Sequence, residues 1–137
     1  MGDLRFVRYQ AVEPNARGTF PGIFGLVNGL RRDGRLTAEQ EAFMRVNNAW
    51  YDAAYTDPST VDPTVYDREL NPGAHAWFKA EATHLLERVH GYLALLDAHG
   101  VRWARLTSDA PGRVVYEDEV QVVVVPVATP ASRTPPP

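Results

Sequence analysis

The stretch from Asn71 to Pro126 constrains the fold of this chain most strongly. From Pro72 to His99 apolar residues recur at helical spacing. From Val101 to Val125 they alternate or run together, broken by the turn Asp109-Ala110-Pro111-Gly112. A helical period that gives way to a two-residue period describes a helix laid on a sheet. The expected fold is therefore α+β: a small, mostly antiparallel sheet of about four strands, with two long helices and one short glycine-rich helix on one face. The expected strands are Leu4–Val12, Val101–Thr107, Arg113–Tyr116 and Glu119–Val125.

The first strand is read from alternation, with Leu4, Phe6 and Arg8 on one face and Arg5, Val7 and Tyr9 on the other. The segment GTFPGIFGLVNGLRRDG follows, with Pro21 suited to a first helical turn and Asp33-Gly34 to its end. Gly18, Gly22, Gly25 and Gly29 fall near one helical face, either for tight packing or as a wall for a flat ligand. No G-x-x-x-x-G-K-[ST] or G-x-G-x-x-G pattern occurs, so this is no phosphate loop. Thr37 to Tyr55 reads as a helix with a Thr37/Gln40 capping box and a core stripe of Phe43, Val46, Trp50, Ala53 and Ala54. Asn47 lies beside that stripe, as a structural hydrogen-bonder or a ligand contact.

Asp57-Pro58, Asp62-Pro63 and Asn71-Pro72 are three Asx-Pro steps, each a ready helix cap. They mark a loop over 57–73 with one short helical turn around Pro63 to Leu70, either a binding loop or a wrap on the core through Val61, Val65, Tyr66 and Leu70. A helix start is expected at Asn71. The Pro-rich run after Pro126 reads as a disordered tail, so one domain is expected over 1–126 and a tail over 127–137.

The 137 residues fit one domain and include no cysteine, which excludes disulfides, thiolate metal sites and cysteine nucleophiles. With 14 basic against 17 acidic residues, no electrostatic footprint for nucleic acid or an anionic membrane is present. Met1 to Gln10 has no apolar signal region, and no apolar run approaches the ~20 residues of a membrane span. A cytoplasmic location is the resulting expectation. The Ala-, Arg-, Val- and Pro-rich, Lys-poor composition resembles that of high-GC bacteria.

Around the expected 72–99 helix, at about 100° per residue, Phe78, Ala82, Leu85, Leu86, Val89, Tyr92, Leu93 and Leu96 share the core side. Trp77, Glu81, His84 and Arg88 form a border stripe, where Glu81 and His84 at three apart can touch. The stripe is either a solvated flank with a snorkelling Arg or a polar pocket. In a pocket Glu81 is a general base with His84 assisting, Arg88 an anion receptor and Trp77 a stacking wall. Glu81-x-x-His84 and Glu87-x-x-His90 match the E-x-x-H spacing of di-iron bundles, but such a site draws on four helices and only two long ones are evident. No metal and no cofactor are expected.

Glu117, Asp118 and Glu119 interrupt an apolar strand run. They are either an exposed hairpin tip that guards VQVVVV against aggregation or, in a continuous strand, a pair (Glu117, Glu119) on one face. The string YEDEV is similar to the Glu-x-Glu strand of arginine-type ADP-ribosyltransferases, a resemblance that implies a catalytic role for Glu119. That family's early Arg strand is matched only by Arg5 or Arg8, and its Ser-Thr-Ser strand has no counterpart. More broadly, the WFK helix start, the HGV helix end, the PG turn and YEDE-x-QVV resemble a set of small uncharacterised bacterial proteins with no activity attached.

Three functional readings follow. The first is a binding or interaction module holding a small polar ligand or a partner chain between the 74–99 helix, the 57–73 loop and the 113–125 hairpin, with Trp77, Arg88, Asn47, Tyr66 and Glu117 as contacts. The second is a metal-independent enzyme with Glu119 or Glu81 as the carboxylate and His84 assisting. The third is a homo-oligomer that pairs the valine-rich strand across a two-fold axis.

Overall fold

The computed structural model describes residues 5–126. Leu4 at the start of the first expected strand, and the expected tail over 127–137, lie outside the described residues. The elements in order are β1 (Phe6–Ala11), α1 (Ile23–Arg32), α2 (Ala38–Ala54), α3 (Pro58–Val61), β2 (His75–Lys79), α4 (Thr83–Ala98), β3 (Trp103–Ser108), β4 (Arg113–Glu117) and β5 (Gln121–Val125). The five strands form one antiparallel sheet in the order β3-β1-β2-β5-β4. This is the expected α+β architecture with one strand more.

Alternation along the strands divides the side chains between two faces. Val7 and Tyr9 enter the main core with Ile23, Val27 and Leu30 of α1, Met44 and Tyr51 of α2, and Leu85, Val89, Tyr92 and Leu96 of α4. On the opposite face Phe6, Trp77, Val122 and Val124 form a second cluster, joined by Leu106. β5 is buried at every position and hydrogen-bonded on both edges, which explains its near-continuous valine run. Each buried valine contributes roughly 1.5–3 kcal/mol. Because both edges of β5 are taken, it has no free edge for the expected pairing across a two-fold axis.

Several helix signals act as read. Thr37 and Gln40 form the capping box of α2. Asp57 caps α3 by accepting from the Ser59 amide, with Pro58 in the first turn, so the short helix lies at Pro58–Val61 and not over 63–70 as expected. His99 ends α4 beside Gly100, whose φ of +68° suits glycine.

Three expectations are corrected. The helix expected from Pro72 to His99 is a strand followed by a helix: His75–Lys79 is β2, and α4 begins only at Thr83. The run HAWFK fills the slot between β1 and β5, and this tertiary pairing overrides the helical propensity of its alanine-rich flanks. The core stripe of α2 is rotated. Met44, Asn47 and Tyr51 are buried, whereas Phe43 and Val46 are exposed. The close helix approach by glycine falls on α4, where a Cβ on Gly91 would lie 2.4 Å from the Phe43 ring. The expected 113–125 hairpin forms from β4 and β5, with 118–120 as its turn, and the alternative of one continuous strand is excluded. Glu117 and Glu119 therefore do not share one face of a continuous strand.

Candidate ligand-binding site

The sheet is split in its middle. β1 pairs with β3 at six positions, from Phe6 to Ala11, but with β2 at only two, Phe6↔Lys79 and Val7↔Phe78. Beyond Val7 the edge of β1 turns to the segment before α1. Gln10 bridges Gly22, and the Ala11 amide donates to the Pro21 carbonyl at 2.9 Å. β1 and β2 thus diverge from Arg8 onward, and the gap between them is the mouth of a cavity.

Arg8 spans this gap. Its Nη1 donates to the Ala76 carbonyl of β2 at 2.9 Å and its Nη2 to the Phe20 carbonyl at 3.1 Å. Its Nε donates to Gln10 Oε1 at 2.8 Å. Gly22 backs the guanidinium so closely that a Cβ there would lie 3.2 Å from Nη2. Every partner is neutral, and among the described residues Arg8 makes no ion pair. Burial pushes the guanidinium down from 12.5 to about 10, so it stays charged at neutral pH with no anion to offset the desolvation.

Behind Arg8 lies an inner cavity of about 310 Å³. Its wall carries Tyr9 from β1, Phe24 from α1, Tyr51 from α2 and Tyr55 just past its end, Tyr66 from the loop after α3, and Trp77 and Phe78 from β2. Tyr51 is fixed by donating its hydroxyl to the Leu85 carbonyl at 2.6 Å. Burial first, then neighbouring tyrosines, raise the Tyr51 hydroxyl far above its usual range. Tyr55 is raised by burial, then by Tyr66, Asp52 and Asp57. Tyr66 is raised by burial and Asp57 while Arg8 opposes. These phenols are neutral at physiological pH and offer hydroxyl groups. Asp52 and Asp57 stand at the α2–α3 end of the same cavity.

The loop after α3 is ordered by its own polar groups. Asp62 accepts from the Thr64 amide and hydroxyl, and Asp67 from the Glu69 and Leu70 amides. Asn71 closes the loop by donating to the Thr64 and Val65 carbonyls, both at 3.1 Å. Val65 is fully buried beneath it. The loop therefore wraps the core through Val65 and presents the adjacent Tyr66 to the cavity.

A larger outer cavity of about 770 Å³ shares Arg8, Tyr66 and Trp77 with the inner one. It is bordered by Arg17, Thr19, Arg68 and His75. Trp77 is 7 % exposed, and its Nε1–H has no acceptor among the described residues.

The residues expected from sequence separate into distinct places. Trp77 and Tyr66 come together at the cavities. Trp77, however, does so from a strand, on the sheet face away from the α4 core, and not as part of a helical stripe with Glu81, His84 and Arg88. Arg88 packs over Trp50, 4.3 Å from the ring, and its Nε donates to Asn47 Oδ1 at 2.9 Å. Asn47 in turn faces the Arg88 carbonyl, so the pair ties α2 to α4. His84 is exposed, with its ring 6.4 Å from that of Trp50, and Glu81 is exposed in the turn before α4. Glu117 pairs with Lys79 at 2.8 Å, and Glu119 is exposed in the hairpin turn. Asp118 organises that turn by accepting from the Val120 and Gln121 amides.

Apart from its place in the early-Arg comparison, Arg8 was visible in the sequence as a charged residue at a period-two position beside Phe6. That is an unusual place for a cation in a half-buried strand, and it was the available signal. Of the tyrosines, Tyr66 was among the expected contacts, whereas Tyr9, Tyr51 and Tyr55 gave no signal. Among the described residues, no three of His, Asp and Glu gather as metal ligands, and no helix is long and apolar enough to cross a membrane. Comparison with family models, with curated proteins and with solved structures returns no match for this chain.

Proposed function

We propose that this chain is a binding domain for a small ring-bearing molecule, which enters the split between β1 and β2 and presents an acceptor group to Arg8. The observation that carries this reading is the guanidinium itself: a largely desolvated cation, held by neutral acceptors only, in the wall of a tyrosine-lined cavity. Such a cation gains from an anionic or strongly accepting group more than any surface cation does, because charge-assisted hydrogen bonds are roughly twice as strong as neutral ones. The aromatic wall supplies apolar contact and offset or edge-to-face ring packing, worth about 0.5–1.5 kcal/mol per aromatic pair beyond area. At about 310 Å³ the inner cavity lies at the small end of the range for ligand pockets.

Glu81, His84 and Glu119 stand outside this cavity, so the geometry favours binding over carboxylate chemistry at those residues. The test is a titration of ¹⁵N-labelled protein with benzoate. The amides of Val7, Arg8, Tyr9, Ala76, Phe78 and Gln121 should shift together and saturate in the millimolar range that a fragment of this size reaches. Shifts scattered over the surface, or absent from these residues, reject the reading.

A further inference from the structure

The inner and outer cavities differ in charge. The inner cavity ends at two carboxylates, Asp52 and Asp57. The outer one is bordered by Arg8, Arg17, Arg68 and His75 and, among the described residues, by no aspartate or glutamate. Three guanidinium groups around one concavity, with no acid in its walls among the described residues, give a focused positive potential in a chain whose net charge is −3. The local sign runs against the whole molecule, so it is not a by-product of composition.

A second observation points the same way. Trp77 borders both cavities, is more than nine-tenths buried, and holds an indole N–H with no acceptor among the described residues. A buried donor left unpaired costs about 1–3 kcal/mol. A ligand oxygen at the junction of the two cavities would relieve that cost. Thr19 adds a hydroxyl to the wall, and its loop is held by Asn15, which accepts from the Arg17 and Thr19 amides at 3.0 Å. The loop that carries Arg17 is thus shaped independently of any ligand. Arg68 sits between Asp67, which accepts from the Glu69 and Leu70 amides, and Asn71, which closes the loop.

We infer that the ligand is a phosphate monoester of a ring-bearing alcohol or phenol, with its ring in the tyrosine-lined inner cavity and its phosphoryl group in the outer cavity on Arg8, Arg17 and Arg68. The proposal rests on the inner-cavity reading and adds the chemical class of the head group. A phosphoryl group suits the site because guanidinium forks match its oxygens in a bidentate way, and because its two charges exploit several cations at once. Arg8 joins the halves, since it lies in the wall of both.

Isothermal titration calorimetry with phenyl phosphate, phenol and inorganic phosphate separates the possibilities. Phenyl phosphate is expected to bind the wild-type protein at least tenfold more tightly than phenol or inorganic phosphate. In the Arg17→Gln/Arg68→Gln variant it should fall to the level of phenol. Both residues are exposed, so the variant is expected to fold, and its thermal unfolding checks this. As a second readout, the Trp77 indole N–H resonance, identified with Trp77→Phe, should move downfield with phenyl phosphate.

Phenyl phosphate binding no more tightly than phenol, or keeping its advantage in the double variant, overturns the proposal. Phenol failing to bind, while inorganic phosphate binds as tightly as phenyl phosphate, rejects the inner-cavity reading and with it the two-part ligand. The outer cavity would then stand as an anion site alone.

Discussion

Replacing Arg8 with Met tests whether this residue holds the split sheet together. The change keeps an apolar stem of similar length and removes the guanidinium. Three hydrogen bonds are lost, to Ala76 O, Phe20 O and Gln10 Oε1. Water reaches the Phe20 carbonyl, and the Gln10 amide can turn to solvent. The Ala76 carbonyl is part-buried, and stranding it costs about 1–3 kcal/mol. Removing a partly desolvated cation returns some of its solvation cost. The net expectation is a loss of about 1–2 kcal/mol, or a fall of roughly 3–8 °C in melting temperature for a chain of this size. Urea unfolding followed by tryptophan fluorescence should show a lower midpoint with an unchanged slope.

Gly22→Ala sharpens the test. Its Cβ would press on the guanidinium at 3.2–3.4 Å, and overpacking of that kind costs about 1 kcal/mol in the wild type. In the Arg8→Met background the same change should cost close to nothing. The two substitutions are thus coupled by about 1 kcal/mol. Two results refute the reasoning: Arg8→Met no less stable than wild type, or Gly22→Ala equally costly in both backgrounds.

Other expectations follow from single contacts. His75 is depressed below 6.5 by burial, then by the Arg8 charge, although its Nδ1 hydrogen bond to the Gly73 carbonyl opposes them. A depressed histidine makes the unfolded state the better proton binder, so stability falls as pH drops through 6.5 toward the lower folded value. His75→Phe should flatten that part of the pH–stability curve, and an unchanged slope refutes the assignment. Asp118 lies below 3.8: burial raises it, but hydrogen bonds from Val120, Gln121 and Tyr116 outweigh burial. Its contribution is present above pH 3.8 and lost as pH falls through the folded value. Asp118→Ala should cost about 1–2 kcal/mol in chemical denaturation at pH 7; a neutral effect removes Asp118 as the organiser of the turn. Gly112→Ala would set a Cβ 2.5 Å from the Val125 carbonyl oxygen, a backbone atom with little room to yield. It should destabilise by about 1–3 kcal/mol, and a wild-type melting temperature would contradict the tight β4–β5 packing.

The legible parts of the fold were those written in local chemistry. The Thr37/Gln40 box, the Asp57-Pro58 start and the His99-Gly100 stop depend on neighbours in sequence and act as read. The apolar side of α4 also held, because Leu85, Val89, Tyr92, Leu93 and Leu96 repeat over several turns. β2 was hidden because HAWFK is short and flanked by alanines, and its strand character comes from partners at Phe6, Val7 and Val122 to Val124. The face of α2 was misread because its inward stripe contains Asn47, which a search for apolar residues passes over. Only the partner on α4, Arg88, shows how that amide is satisfied. The cavity was the least legible feature. Its walls come from six elements and a loop that meet only when the sheet splits after Val7. Trp77 was expected as a stacking wall on a helix flank and Tyr66 as part of the 57–73 loop, yet Arg8, the residue that joins the two cavities, looked like one strand cation among several.

If the gap between β1 and β2 is a ligand site with Arg8 at its junction, a ring-bearing phosphate should be seen there. A crystal structure of the protein soaked with phenyl phosphate addresses it directly. The ring is expected among Tyr9, Tyr51, Tyr55 and Tyr66, with a phosphoryl oxygen within hydrogen-bond distance of the Arg8 guanidinium and the Trp77 indole N–H. A ligand bound elsewhere, or an Arg8 turned away from an inner cavity closed by the protein's own side chains, would contradict it.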